Sequence, residues 1–256
     1  MRALTLRGRP LGNGRLPAVC VPLVARTADA VLAEAVAAAA QGPDLLEWRV
    51  DFFEGIARTQ DVVDLARRLR DASGLPLLFT CRSAREGGQP IALSEADVLA
   101  LDLAVCQAGA ADLVDVEMQA QETHIASVRA AAGAAGIPLV LSFHDFQRTP
   151  PADELLARFR QAHRLGADLA KVAVMPQSRA DVLALLHATL QASESLPIAV
   201  AGMSMGPLGA VTRMAGGEFG SALTFGAGQA ASAPGQLPVA DLRAALAVLH
   251  AAAVVR

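Results

Sequence analysis

The chain has 256 residues, a formal net charge of −3 and 53% hydrophobic residues, a balance that fits a globular protein and excludes a disordered one. A pI near 5.9 and only 4% aromatic residues leave neither a basic stripe nor a stacking platform, so nucleic-acid binding is not expected. The mean hydropathy of +0.38 comes largely from alanine; charges or prolines break each long apolar stretch, and residues 244–255 fall short of the roughly 20 a spanning helix needs, so no membrane association is expected.

In chain order, residues 3–15 contain Asn13-Gly14 and read as a small β-hairpin covering one end of the domain. Arg2, Arg7, Arg9 and Arg15 precede an apolar stretch, but Pro17 and Pro22 make it a strand and not a leader. Strands are predicted over 18–24, 45–50, 75–81, 113–117, 138–143, 169–174, 198–201 and 221–225. Helices with an apolar face are predicted over 27–41, 59–71, 94–108, 121–135, 152–165, 178–193, 208–214 and 238–252. Thr27, Thr59 and Ser94 read as N-caps, Gly74, Gly109, Gly136 and Gly166 as helix stops, and Pro151 as a helix opener. Eight strand–helix units in this length predict an α/β fold, a single (β/α)8 TIM barrel domain over 1–256 with a short N-terminal β-hairpin.

In such a barrel the chemistry sits at the C-terminal ends of the strands. Alternation points Glu47, Arg49 and Asp51 to one side, and Asp115 with Glu117. A structural salt-bridge network would use the same residues. The whole set favours a functional site, because desolvating each ion costs several kcal/mol unless it is paired.

Of the 22 basic residues only Lys171 is lysine, and it lies in the apolar strand 169–174. Arginine usually neutralises a buried carboxylate better, so a lysine kept here points to an amine that loses its proton and attacks a carbonyl. An apolar strand is expected to favour the free amine. His144 ends the neighbouring strand and suits a proton shuttle, with Glu86 placed to orient it. His124, His163, His187 and His250 fall on helices without metal-ligand pairing and read as structural. Cys20, Cys81 and Cys106 show neither disulfide nor zinc spacing, which fits a reducing, cytoplasmic setting. No metal is expected.

Arg213, Ser232 and Gln236 form a candidate anion site near the last strand, with Met203 and Met205 at the mouth of the pocket. Gly226-Ala227-Gly228 mimics a dinucleotide fingerprint, but Pro234 and Gly235 interrupt where a helix must open, so no nucleotide is expected.

The ordered motifs Glu47-Trp48-Arg49-x-Asp51, Thr80-x-Arg82-x-x-x-Glu86-Gly87-Gly88, Ser142-x-His144-x-Phe146-x-x-Thr149-Pro150, Lys171-x-Ala173, Met203-x-Met205-Gly206 and Ser232-Ala233-Pro234-Gly235-Gln236 closely resemble the type I 3-dehydroquinate dehydratases. The resemblance runs from Ala18 to about Gln236. It implies a homodimeric barrel that dehydrates the small molecule 3-dehydroquinate to 3-dehydroshikimate, without cofactor, in the shikimate pathway of aromatic amino acid biosynthesis. It makes Lys171 the Schiff-base residue, His144 the proton shuttle and Glu86 its helper. Arg213, Ser232 and Gln236 would hold the substrate carboxylate and its neighbouring hydroxyl, Glu47, Arg49 and Arg82 the ring hydroxyls, and Met205 and Phe225 would line the substrate.

Pro22 departs from the small polar residue of some members, and Pro207 follows the methionine motif. A lysine-dependent aldolase and a barrel that binds quinate-like metabolites without catalysis are the alternative readings. Gly87, Gly88 and the segment 226–236 are expected to form a closing flap.

Overall fold

The computed structural model describes residues 4–11, 16–228 and 232–254. Strands β1 (Leu4–Leu6) and β2 (Arg9–Leu11) pair antiparallel. Their turn is Arg7-Gly8, with φ of 46° and 77°, as a two-residue hairpin requires. The hairpin is therefore present, but its turn is not Asn13-Gly14, a pair that lies outside the described residues.

Eight strands form the barrel: β3 (Ala18–Leu23), β4 (Leu45–Arg49), β5 (Leu77–Thr80), β6 (Leu113–Glu117), β7 (Leu139–Asp145), β8 (Leu169–Val174), β9 (Ala199–Ser204) and β10 (Leu223–Ala227). Each pairs parallel with the next from β3 to β9, and β10 pairs back onto β3. The ring closes between β9 and β10 through a parallel bridge of Val200 to Ser221, with the Ala222 N–H donating to the Val200 carbonyl at 2.8 Å. A two-residue strand, β11 (Leu237–Pro238), adds to β10.

Helices α1 (Ala28–Ala39), α2 (Thr59–Ser73), α3 (Glu95–Gln107), α4 (Glu122–Ala135), α5 (Ala152–Arg164), α6 (Arg179–Ser195), α7 (Gly206–Ala215) and α8 (Val239–Val254) surround the ring. No helix among the described residues is long and apolar enough to cross a membrane.

Period-two alternation gives each strand two faces. The outer face, with Val19, Leu46, Trp48, Phe79, Val114, Leu141 and Val172, packs against the helices as the main core. The inner face begins with an apolar floor of Cys20, Leu45, Leu78, Leu113, Val140 and Leu169, which Leu6 and Leu11 of the hairpin close from below. Two residues further along the same strands the inner face turns polar, with Glu47, Thr80, Asp115, Ser142 and Lys171 all buried. Arg49, Arg82, Glu117 and His144 stand above them.

Several boundaries differ from expectation for physical reasons. The seventh barrel strand, β9, does not stop at residue 201 but continues to Ser204. Its Gly202 is no strand breaker: a Cβ there would lie 2.0 Å from the Thr189 hydroxyl, so glycine lets α6 pack close. Ser94 closes a capping box with Asp97, whereas Thr27 holds its N-cap position without a side-chain bond. Arg58, not Thr59, is the N-cap of α2, whereas Pro151 opens α5 from its N-cap, as expected. Pro207 enters the first turn of α7, where its missing N–H costs nothing.

Candidate active site

The polar end of the barrel holds one narrow cavity, and all eleven candidate site residues line it: Glu47, Arg49, Arg82, Glu86, His144, Lys171, Met205, Arg213, Phe225, Ser232 and Gln236. Phe146, Ala173, Met203 and Ala233 complete the wall. The free volume is about 40 Å³, room for a few waters.

Lys171 reaches the cavity from the middle of β8. Its Nζ lies 3.4 Å from Glu47 Oε1, 3.6 Å from Asp115 Oδ2 and 4.5 Å from the centre of the Phe225 ring. Thr80 Oγ1 donates to the same Glu47 oxygen at 3.0 Å and fixes it. The expectation of apolar surroundings for the amine is thus corrected. The backbone neighbours of Lys171 are apolar, but the side chains that converge across the barrel are two carboxylates and an aromatic face. That arrangement holds a cation in place.

His144 stands beside it, because β7 and β8 pair Ser142 with Lys171 and His144 with Ala173. Its Nδ1 is 2.8 Å from Glu86 Oε2, and that oxygen also accepts the His144 backbone N–H at 3.0 Å. Phe146 stacks on the imidazole at 6.4 Å and 22°. Burial first, and then the charges of Arg82, Lys171 and Arg49, push the His144 imidazolium well below its ordinary range. Burial pushes the Glu86 carboxyl up to about 8, against the pull of Arg82 and with help from Glu117 and Asp115. A neutral imidazole with Nδ1 tied to Glu86 leaves Nε2 to take or give a proton.

Glu86 rides on a one-turn helix, Ala84–Glu86, that ends in Gly87 with φ of 82°. A Cβ on Gly87 would lie 2.3 Å from the Phe146 ring, and one on Gly88 would lie 2.0 Å from the Arg82 carbonyl oxygen. The two glycines let this segment fold tightly enough to aim Glu86 inward.

The arginines divide into two kinds. Arg82 donates to Asp115 at 2.7 Å, Ser142 at 2.9 Å and Glu117 at 3.4 Å, with Glu86 at 3.6 Å. Arg49 forms a two-pronged pair with Asp51, both contacts 2.8 Å. Asp51 does not point into the cavity with Glu47 and Arg49. The strand ends at Arg49, and Asp51, in the following turn, accepts from the backbone N–H groups of Arg82 and Gln89 at 3.3 and 3.0 Å.

Arg213 is different. It is 2% exposed and, among the described residues, donates only to the Phe225 and Pro234 carbonyls at 3.4 and 3.1 Å and to Met203 sulfur at 3.8 Å, with no partner there for its Nε. Among the described residues no carboxylate lies within salt-bridge range of it, and burial pushes it down to about 10. A buried guanidinium without a counter-ion has the chemistry to take an anion. Ser232 and Gln236 face the same cavity and bond each other, Gln236 Nε2 to Ser232 Oγ at 3.2 Å. Gly235, with φ of 79°, presses against Gly206 and pins this loop to the start of α7. Residues 229–231 of the expected flap lie outside the described residues.

Asp115 and Glu117 point inward as expected and pair with Arg82, as a salt-bridge network would have them, whereas Thr80 and Ser142, quoted above only within motifs, join the site without having been expected to. The signal was available: both lie two residues beyond a floor residue, Leu78 and Val140, on strands whose next inward positions are Arg82 and His144. Among the described residues no group of three or more His, Cys, Asp or Glu side chains is placed to hold a metal ion.

The family model described as type I 3-dehydroquinase matches residues 19–253. A 3-dehydroquinate dehydratase of Albidiferax ferrireducens is 52% identical over 96% of this chain and 93% of its own length. The crystal structure of 3-dehydroquinate dehydratase from Geobacillus kaustophilus superposes with a TM-score of 0.95 at 48% identity, covering 98% of this chain and 97% of that one. The type I 3-dehydroquinate dehydratase of Clostridium difficile, solved with covalently modified comenic acid, follows at TM-score 0.94 and 36% identity, covering 98% and 99%. With the matched barrel, the shared length and a cavity built from the motif residues, the chain belongs to the type I 3-dehydroquinase family of hydro-lyases.

Proposed function

We propose that this chain dehydrates 3-dehydroquinate to 3-dehydroshikimate through a Schiff base on Lys171, without metal or cofactor. The observation that carries the reading is one small cavity that joins a buried amine, an imidazole tied to a carboxylate, and a guanidinium with no anionic partner. Arg213, with Ser232 and Gln236, takes the substrate carboxylate, while Glu47 and Arg49 with the free edge of Arg82 meet the ring hydroxyls. Met205 and Phe225 shape the wall around the ring.

In the first step Lys171 Nζ adds to the C3 carbonyl and one water leaves, forming a protonated imine. The positive charge of the imine forms where Glu47, Asp115 and the Phe225 face already surround the nitrogen, so the site has little reorganising to do. His144 then removes a C2 proton, and the electron pair moves into the imine to give an enamine. As the C1 hydroxyl departs, His144 returns the proton to it, and the leaving group is water. Addition of water to the imine frees product and the amine. That the Clostridium difficile relative was solved with covalently modified comenic acid is in keeping with a nucleophilic group on this fold.

The same reading assigns the reaction to the shikimate pathway and the chain to the cytoplasm as a single-domain homodimer; the three free cysteines favour a reducing compartment. The test is intact mass after incubation with 3-dehydroquinate and borohydride, alongside enone absorbance without reductant. An adduct mapping to Lys171, with both signals absent in Lys171→Ala, is expected. Enone formation by Lys171→Ala, or no adduct and no enone from the unsubstituted protein, would overturn the reading.

A further inference from the structure

A second cavity, of about 370 Å³, opens on the outer side of the barrel wall between α3, α4 and the segment 81–93. Its volume lies in the range of small-molecule sites and is much larger than that of the catalytic cavity. The body is apolar, from Pro90, Ile91, Leu93, Val98, Val116 and Ala120. At the polar end lies Asp102, which is 2% exposed. One of its oxygens meets His124 Nε2 at 3.2 Å, and the other, Oδ1, is buried with no partner among the described residues. An unpaired buried carboxylate oxygen costs free energy that a donor in the cavity would recover.

We infer that this cavity is a binding site for a small apolar molecule carrying one hydrogen-bond-donating head, an amine or a hydroxyl. The head meets Asp102 and the body lies among Ile91, Leu93, Val98 and Val116. An anionic head is disfavoured there. The charges of Asp115 and Glu117 on the wall are already met by Arg82, and of the rest only the outward Arg85 is a cation against Glu95 and Asp102. The site is separate from the catalytic cavity, yet the two share a wall. Ser83, Ala84, Arg85 and Gln89 line this one, while Glu86, between them, faces His144. An occupant therefore rests against the segment that aims the carboxylate at the imidazole.

The test is calorimetric titration of the full chain with 4-ethylphenol and with 4-ethylanisole, which has the same body but no donor. The phenol is expected to bind at least about tenfold tighter, the factor one hydrogen bond to a charged group supplies. Ala120→Trp, which fills the cavity, should abolish binding, and Met205→Ala, in the catalytic cavity, should leave it unchanged. Asp102→Leu keeps most of the volume, removes the acceptor and should erase the preference for the phenol. This outcome serves if the tryptophan variant does not fold. Equal affinity for both probes, no saturable binding at millimolar concentration, or binding lost in Met205→Ala would overturn the inference. So would sedimentation showing that Ala120→Trp dissociates an oligomer, since a second copy would then be the occupant. None of these readouts depends on the dehydratase reading.

Discussion

Replacing Arg82 with leucine removes a guanidinium that is 2% exposed and bonded to Asp115, Ser142 and Glu117. The gross loss is large, because hydrogen bonds to charged groups contribute about 1.5–3 kcal/mol each. Part of it is recovered by partners that stay. Ser142 still donates to Asp115 at 2.7 Å, Lys171 remains 3.6 Å away, and Glu117 keeps the Ser83 N–H and hydroxyl at 2.7 and 2.8 Å. The net cost should therefore resemble that of breaking one buried pair, about 3–5 kcal/mol. It should also depend on pH. Burial alone would raise the Asp115 carboxyl, but Arg82, then Lys171 and Ser142, overcome it and hold the group below its ordinary value. A depressed carboxylate stabilises the fold above its unfolded value and loses that contribution as pH falls through the folded one. Without Arg82 the carboxyl rises and the contribution disappears, so the deficit against the unsubstituted protein should be full at pH 7.5 and smaller near pH 3, where the depressed carboxylate begins to take up its proton. The sole tryptophan, Trp48, is buried and reports unfolding by fluorescence. With a urea slope of about 1–3 kcal/mol/M, the midpoint should fall by roughly 1–5 M at pH 7.5. A shift under about 0.3 M, or one of equal size at both pH values, would refute the reasoning.

Glu86→Gln removes a carboxyl pushed up to about 8, a group that binds its proton more tightly folded than unfolded and so loses stability as pH rises through that value. The variant should therefore gain on the unsubstituted protein by several kcal/mol between pH 5 and 8.5 in urea titrations, and the acid limb of its kcat/KM profile should move to lower pH. A limb that stays in place would assign it to another group. Gly88→Ala drives a Cβ to 2.0 Å from the Arg82 carbonyl, which is backbone and cannot swing away. Thermal unfolding should show a loss of about 1–3 kcal/mol, with kcat falling because Glu86 is displaced. Arg213→Met should lower kcat/KM about 10²–10³-fold while leaving the free protein as stable or more so, measured by steady-state kinetics and calorimetry on the same sample.

The barrel was legible because two periods are strong signals: strands of alternating faces and helices of the length a parallel crossover needs. The chemical groups were legible because a lone lysine among arginines, and ions at inward strand positions, are costly choices. What the sequence hid was pairing across the barrel. Lys171 sits in an apolar strand, yet Glu47 and Asp115 reach it from β4 and β6, far away in the chain. Asp51 shares the alternation of Glu47 and Arg49, but the strand ends one residue too soon for alternation to hold. Cap positions slipped by a residue at α2 for a similar reason, since the chain direction entering a helix is set by packing and not by the presence of a threonine. The carboxylate at Asp102 was equally hidden, because nothing local marks an oxygen as lacking a partner.

Arg82 and Arg213 are both 2% exposed, and their contrast separates architecture from recognition. Arg82 is bonded to Asp115 and Glu117 with Glu86 at 3.6 Å, so its charge is settled in the empty protein, and removing it should cost the fold as well as any binding along its free edge. Arg213 faces carbonyl oxygens and a sulfur, with one nitrogen unpartnered, so its charge is settled only when an anion arrives. Folding bears the desolvation of that guanidinium, and binding recovers it. In the proposed reaction the recovery goes to a ligand that brings a negative group to this end of the cavity while its ketone carbon reaches Lys171. A neutral polyol would gain nothing from Arg213, and an anion without a ketone would gain nothing from the amine. On that reading an unmatched cation and an amine in one cavity select a keto acid before any hydroxyl is read.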